Sequence, residues 1–167
     1  MEKGGVFLKN MYLWAIHRIQ KVLSKKTKYA LNALVYLARN RAQAPISVST
    51  IAQAQNIPLK FLESILVELK NARIVDSKKG KYGGYSLHKE PEAIHMASVT
   101  RLFDGAIALL PCVTYDYYEP CEECVDEETC GIRQVVMEIR NETVRRLKKA
   151  TLADIVDREQ NQKGMLD

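Results

Sequence analysis

Apolar positions recur at helical spacing between Leu23 and Asn40, where Ala30, Leu31, Leu34, Leu37 and Ala38 form a stripe and Lys28, Asn32 and Arg39 fall off it. This spacing predicts a first helix. Ala44-Pro45 closes a connector, and Ser47 or Ser49 can accept from the free amides of a short helix through Ile51, Ala52 and Ala54. Asn56 supplies a turn, and Pro58 suits the first position of a further helix, since its missing N–H has no partner there. In that helix Phe61, Leu62, Ile65, Leu66 and Leu69 are expected inside, with Lys60, Glu63, Ser64 and Lys70 outside. The period then changes. Ile74-Val75 runs into Ser77 to Leu87, where Gly80, Gly83 and Gly84 supply unusual backbone angles and close approach, and Tyr82 and Tyr85 stiffen a hairpin. Pro91 is expected to start another helix with Ile94, Val99, Leu102 and Phe103 on its apolar side, ending at Asp104-Gly105. After a cysteine-bearing loop, Ile132, Val135, Val136, Ile139 and Leu147 return to helical spacing.

These elements imply a mainly α fold with a small β wing. Two short helices joined by a tight turn, the second polar at its N-terminal half, have the layout that places a helix in a major groove. The glycine-rich hairpin that follows has the layout of a wing. It joins strand to strand instead of opening a helix, which argues against a nucleotide-phosphate cradle. The expected organisation is an extension over 1–21, either non-native or disordered or a true amphipathic segment using Trp14, then a winged helix-turn-helix domain over 22–105. A cysteine-rich loop over 106–131, a dimerisation helix over 132–157 and a flexible tail over 158–167 complete it. The long helix carries an apolar stripe that so small a core cannot cover. A two-fold protein also matches a palindromic site, so a homodimer is expected.

Charge sharpens this picture. The chain of 167 residues carries a formal net charge of +5. From Val22 to Lys89 there are 12 Lys or Arg against Glu63, Glu68 and Asp76, a balance suited to a polyanion such as double-stranded DNA. Lys60, Glu63 and Ser64 are the candidates for base edges; Lys78, Lys79 and Lys81, with Tyr82 and Gly83 of the same hairpin, are the candidates for the phosphate backbone. Between Pro111 and Cys130 the sign reverses, with seven acids and no base, so that loop is expected to lie off the DNA. The apolar stretch Met11 to Ile16 is far short of the roughly 20 residues that span a bilayer, and no membrane role is expected. The expected compartment is a reducing cytoplasm, where clustered cysteines are more often metal-binding or redox-active than structural disulfides.

Cys112, Cys121, Cys124 and Cys130 are separated by eight, two and five residues. Four thiolates in a short loop suit an iron–sulfur cluster, and they equally suit a closed zinc tetrahedron. A reversible disulfide needs only two of them, and unrelated packing of thiols stays open. The neighbouring carboxylates are expected to make a thiolate harder to form. His17, His88 and His95 stand in no pairing with a nucleophile, and no enzyme is expected.

Several segments together resemble the bacterial Rrf-two regulators: Leu23 to Leu31, Ile51-Ala52, Ile57-Pro58, Phe61-Leu62-Glu63, Gly80 to Tyr85 and Leu102-Phe103-Asp104-Gly105. The likeness runs from Leu23 to about Asp157, and it implies that residues 1–21 are surplus, with Val22 as the native first residue. It implies a dimeric winged-helix transcription regulator. Cluster-binding relatives hold three cysteines with five residues between neighbours; Cys124 and Cys130 keep that spacing and Cys112 stands in the place of the first ligand. Here eleven residues separate Cys112 from Cys124, and Cys121 is an addition. Relatives take a fourth ligand from a position held here by Arg133, or from the first helix at Lys28, neither a credible ligand. The resemblance therefore implies Cys121 as the fourth bond, to a 2Fe-2S or 4Fe-4S cluster, with zinc as the alternative.

Overall fold

The structure, a computed structural model, describes residues 23–115, 117–121 and 124–163. The extension over 1–21, Val22, the acids Asp116, Glu122 and Glu123, and residues 164–167 lie outside the described residues. Among those described are six α-helices, a two-stranded antiparallel sheet and three short 3-10 turns. Helix α1 (Lys25–Arg39) starts at Ser24, whose Oγ accepts from the Thr27 amide at 3.1 Å. The Ser24 amide in turn donates to Asp104 Oδ2 at 3.1 Å.

Helix α2 (Val48–Ala54) is capped by Ser47, which accepts from the Thr50 amide. Helix α3 (Leu59–Asn71) follows, with Pro58 as its cap instead of its first turn. Both α2 and α3 end in the same way, through a residue of positive φ: Asn56 at 50° and Arg73 at 54°. The Ile57 amide donates to Ala52 O and the Ile74 amide to Leu69 O, each at 2.9 Å. This six-to-one closure satisfies orphan carbonyls and drops a buried isoleucine against the core after each helix. It sets the turn between the two helices.

Strands β1 (Val75–Lys78) and β2 (Gly84–Leu87) pair antiparallel, Val75 opposite Leu87 and Lys78 opposite Gly84. Ile46 adds a bridge to the sheet through two bonds with Tyr85, at 2.9 and 2.8 Å. A side chain at position 84 would come within 2.3 Å of Ile46 O, so glycine is required for that bridge.

Three expectations are corrected here. Pro91 opens only a 3-10 turn; Ile94 and His95 are extended and the helix, α4, runs Met96–Asp104. Phe61 and Leu102 lie at the border of the apolar face, 37% and 36% exposed, and Phe61 meets Tyr29 edge-on at 5.7 Å. The helix expected over 132–157 is two: α5 (Gly131–Lys149) and α6 (Leu152–Lys163), the second extending into the segment expected to be a flexible tail. The physical cause of the break is a backbone tie. Met96 N donates to Ala150 O at 2.9 Å and Leu152 N to Ile94 O at 2.8 Å. Thr151 and Asp154 then form a reciprocal capping box, Thr151 N to Asp154 Oδ2 at 2.8 Å and Asp154 N to Thr151 Oγ1 at 3.1 Å.

One core unites these pieces. Leu34, Leu37, Ile51, Leu62, Ile65, Leu66, Leu69, Val75, Val99 and Leu152 are almost wholly buried in a single cluster. Each aliphatic side chain so buried stabilises by roughly 1.5–3 kcal/mol relative to exposure. Helix α6 packs across α1, and Arg39 pairs with Glu159.

Candidate nucleic-acid interface and cysteine loop

The frame places α3 with its polar side outward. Lys60 is 92% exposed at its side chain and pairs with the half-buried Glu63 at 3.4 Å, while the exposed Ser64 hydroxyl donates to Phe61 O at 2.7 Å. The Ser64 hydrogen is thus taken by its own helix, leaving its oxygen as the free acceptor. Leu59 and Val67 are exposed beside them, and sequence patterning did not single them out. An exposed apolar side chain at the start of such a helix is suited to a thymine methyl group.

In the hairpin Lys78, Lys79 and Lys81 are exposed, and among the described residues they make no ion pair. Tyr82 is 81% exposed, with Lys81 Nζ 5.6 Å from its ring centre. The turn depends on two glycines. Gly80 takes φ +108°, and a side chain on Gly83 would come within 2.2 Å of Lys78 O. Gly83 is therefore required by the hairpin itself, apart from any contact with a ligand.

The loop after α4 brings all four cysteines to one cavity of about 530 Å³, with Leu110, Val125 and Ile132 as apolar wall. Cys112 is buried and the other three are half-buried. Cys130 caps α5, its Sγ accepting from the Arg133 amide at 3.4 Å. That bond, followed by one from Cys124, holds the Cys130 thiol below its ordinary range. The neighbouring Cys124 is pushed up by burial and by its hydrogen bond with Cys130. The expected effect of the carboxylates is seen at neither thiol: burial and Cys130 raise Cys124, and the Arg133 amide at the start of α5 lowers Cys130.

Arg133, set aside as a ligand from sequence, has a different part. Its Nε donates to Cys112 O at 3.3 Å and lies 3.8 Å from Glu127 Oε2, which also accepts from Tyr118 Oη at 2.6 Å. The side chain ties the first cysteine to the start of α5. An arginine in the first turn of a helix opposes the helix dipole, and that mismatch was the available signal in the sequence. The donor set and the cavity suit a thiophilic metal centre. Among the described residues, however, no three His, Cys, Asp or Glu side chains converge as ligands of one ion.

Helix, turn, helix and paired hairpin over a common core define a winged helix-turn-helix regulator. Residues 23–158 match the Rrf2 family, described as an iron-dependent transcriptional regulator, and the chain belongs to that family. It is 40% identical over 121 residues to an rrf2-like HTH-type transcriptional regulator of Rhodobacter capsulatus, covering 71% of this chain and 81% of the relative. It is similar to the HTH-type transcriptional regulator CymR of Bacillus subtilis, 33% identical over 133 residues, covering 80% and 88%. The solved structure of that protein superposes with a TM-score of 0.68 over 81% of this chain and 95% of its own. IscR of T. potens shares the fold, with a TM-score of 0.65 at 24% identity over 82% and 87%. The chain is accordingly a transcription regulator of a DNA-binding class. Among the described residues no helix is long and apolar enough to cross a membrane.

Proposed function

We propose that this regulator acts in the cytoplasm as a homodimer on a palindromic operator, and that the cysteine loop is its sensor. The reading sets α3 in the major groove, with Lys60, Glu63 and Ser64 at base edges, and lays the wing of Lys78, Lys79, Lys81 and Tyr82 along the flanking backbone or minor groove. The observation that carries it is the set of three exposed lysines, without an ion pair among the described residues, on a hairpin paired beside the exposed end of α3. Dimerisation is supported by α5. Ile132, Val135 and Ile139 stand exposed at i, i+3 and i+7, and Arg140 is the one residue of that helix that is buried. Such a stripe is suited to its twin.

Cys112, Cys121, Cys124 and Cys130 would hold an iron–sulfur cluster, which supplies redox chemistry when bound. The four thiols lining one cavity and the iron-dependent description of the family support this. The protein's own part is transmission: the loop is joined to α5 through Cys130 and Arg133, and α5 is clasped to the winged domain through the bonds at 94–96 and 150–152. A coupling of roughly 1–3 kcal/mol between loop and operator is sufficient for a switch. A second reading, a thiol switch without cluster, is supported by Cys124 and Cys130 lining the same cavity. In it an oxidant such as a peroxide accepts two electrons as the two thiols lose their protons and join.

Anaerobic purification followed by visible absorption and iron analysis tests the cluster; a colourless, iron-free protein whose operator affinity responds to peroxide favours the second reading. Equal operator affinity with and without the cluster removes the coupling. Glu63→Ala is expected to cost roughly 1–3 kcal/mol at one base position. A protein that stays monomeric and ignores DNA at low ionic strength sinks the operator reading altogether.

A further inference from the structure

A second cavity, of about 520 Å³, lies between α5 and the loop that follows α4, away from the cysteines. Its wall is mostly apolar: Leu23, Ile107, Leu109, Ile139 and Leu147. Its size falls within the range of small-ligand pockets, which are apolar with a few placed polar groups. Three polar side chains that line it are already engaged. Thr100 Oγ1 donates to Met96 O at 2.9 Å, Thr143 Oγ1 donates to Ile139 O at 2.8 Å, and Asp104 Oδ2 accepts from the Ser24 amide.

The fourth, Arg140, is not. The residue is 5% exposed, and among the described residues its buried Nε and Nη1 have no hydrogen-bond partner. Its guanidinium carbon lies 4.0 Å from the ring centre of Tyr115. Stacking uses the face of the guanidinium and leaves the in-plane Nε and Nη1 hydrogens unspent. A buried charge with unmet donors is costly unless an anion meets it, and a carboxylate matches the planar fork with two parallel bonds.

We propose that this cavity binds a small organic acid, its carboxylate on Arg140 and its apolar body against Ile107, Leu109 and Leu147. A side-chain carboxylate from a second copy of the chain could also reach Arg140, but it would occupy only a fraction of the space. The site is independent of the operator and of the cysteines, and its test requires neither.

The experiment is thermal unfolding of the full-length protein, without DNA, against the straight-chain carboxylates from acetate to octanoate. Hexanamide serves as the neutral control and inorganic phosphate as an anion without an apolar body. The expected result is a rise in Tm that grows with chain length, reaching roughly 5–10 °C at a hundredfold excess over Kd. Hexanamide and phosphate are expected to give none. Arg140→Met removes the unmet charge and keeps the length, so it is expected to fold at least as well and to lose the response. Ala106→Trp, at an exposed position lining the mouth, is expected to lose it with Arg140 intact. An equal response to phosphate overturns the proposal, as does a response that survives Arg140→Met. Silence of the unaltered protein toward every acid, with a weaker dimer in Arg140→Met by sedimentation, overturns it in favour of a partner subunit's carboxylate.

Discussion

The winged domain and the cysteine loop are built on opposite terms. In the domain, Leu34, Leu62, Ile65, Leu66 and Leu69 are fully buried, the starts of α1 and α2 are capped by a serine hydroxyl, and the ends of α2 and α3 are closed by a six-to-one bond. From Thr114 to Gly131 no described residue is buried; Cys112 and Val113 just before it are the last that are. The loop is held by side-chain bonds, chiefly those of Arg133, Glu127 and Asp126. A region ordered by packing keeps its shape whatever it binds, whereas one ordered by a few polar contacts around a cavity can change with its contents. The first suits a reader of fixed geometry and the second suits a sensor.

That contrast can be broken at several points. The largest effect is expected from Leu66→Ala, which opens a void in the core and should cost about 2–5 kcal/mol in denaturant unfolding, with operator binding lost in parallel. A cost below 1 kcal/mol would mean that the frame is no better packed than the loop. Lys79→Ala is expected to weaken binding to every sequence alike and to lower the slope of log K against log salt by about one unit, with stability unchanged. If it alters sequence preference at constant slope, the hairpin reads bases and the division of labour within the frame is wrong. Cys124→Ser, in the half-buried loop, is expected to move the unfolding free energy by no more than about 0.5 kcal/mol while abolishing any bound chromophore. A large loss of stability in the metal-free protein would show that the loop belongs to the core.

The smallest effect concerns Asp154. Its carboxylate accepts from the Thr151 backbone and side chain, which hold it below the ordinary carboxylate range. A carboxylate depressed in the folded state contributes stability that is present above its unfolded pKa and lost as pH falls through the lower folded value. Asp154→Asn is therefore expected to flatten that part of the acid limb in a pH series of Tm values, and an unchanged limb would show that the cap at α6 is not populated.

The frame was legible in the sequence because its signals are local. Ser47, Asn56 and Gly80 each mark a cap or turn within a few residues, and the stripe through Leu62 and Leu69 marks the buried face. The edges of such stripes were not legible: Phe61 and Leu102 are apolar yet lie at the border, where tertiary neighbours decide. The division of the long helix was written in Thr151 and Asp154, a capping box easily read as more helix. Its cause, the pairing of 150–152 with 94–96, joins residues more than fifty positions apart. Arg140 was the least visible. On paper it is one base among several on a helix, and only the neighbouring loop and Tyr115 turn it into a buried cation with unmet donors.

The burial of Leu152 beside α1 has a consequence for how the molecule is made. Its hydrophobic interior draws on α1 and on a leucine more than a hundred residues further along, so a ribosome must release both before the interior can close. A shortened product stopping after α5 would be no miniature regulator but a frame with its final wedge missing.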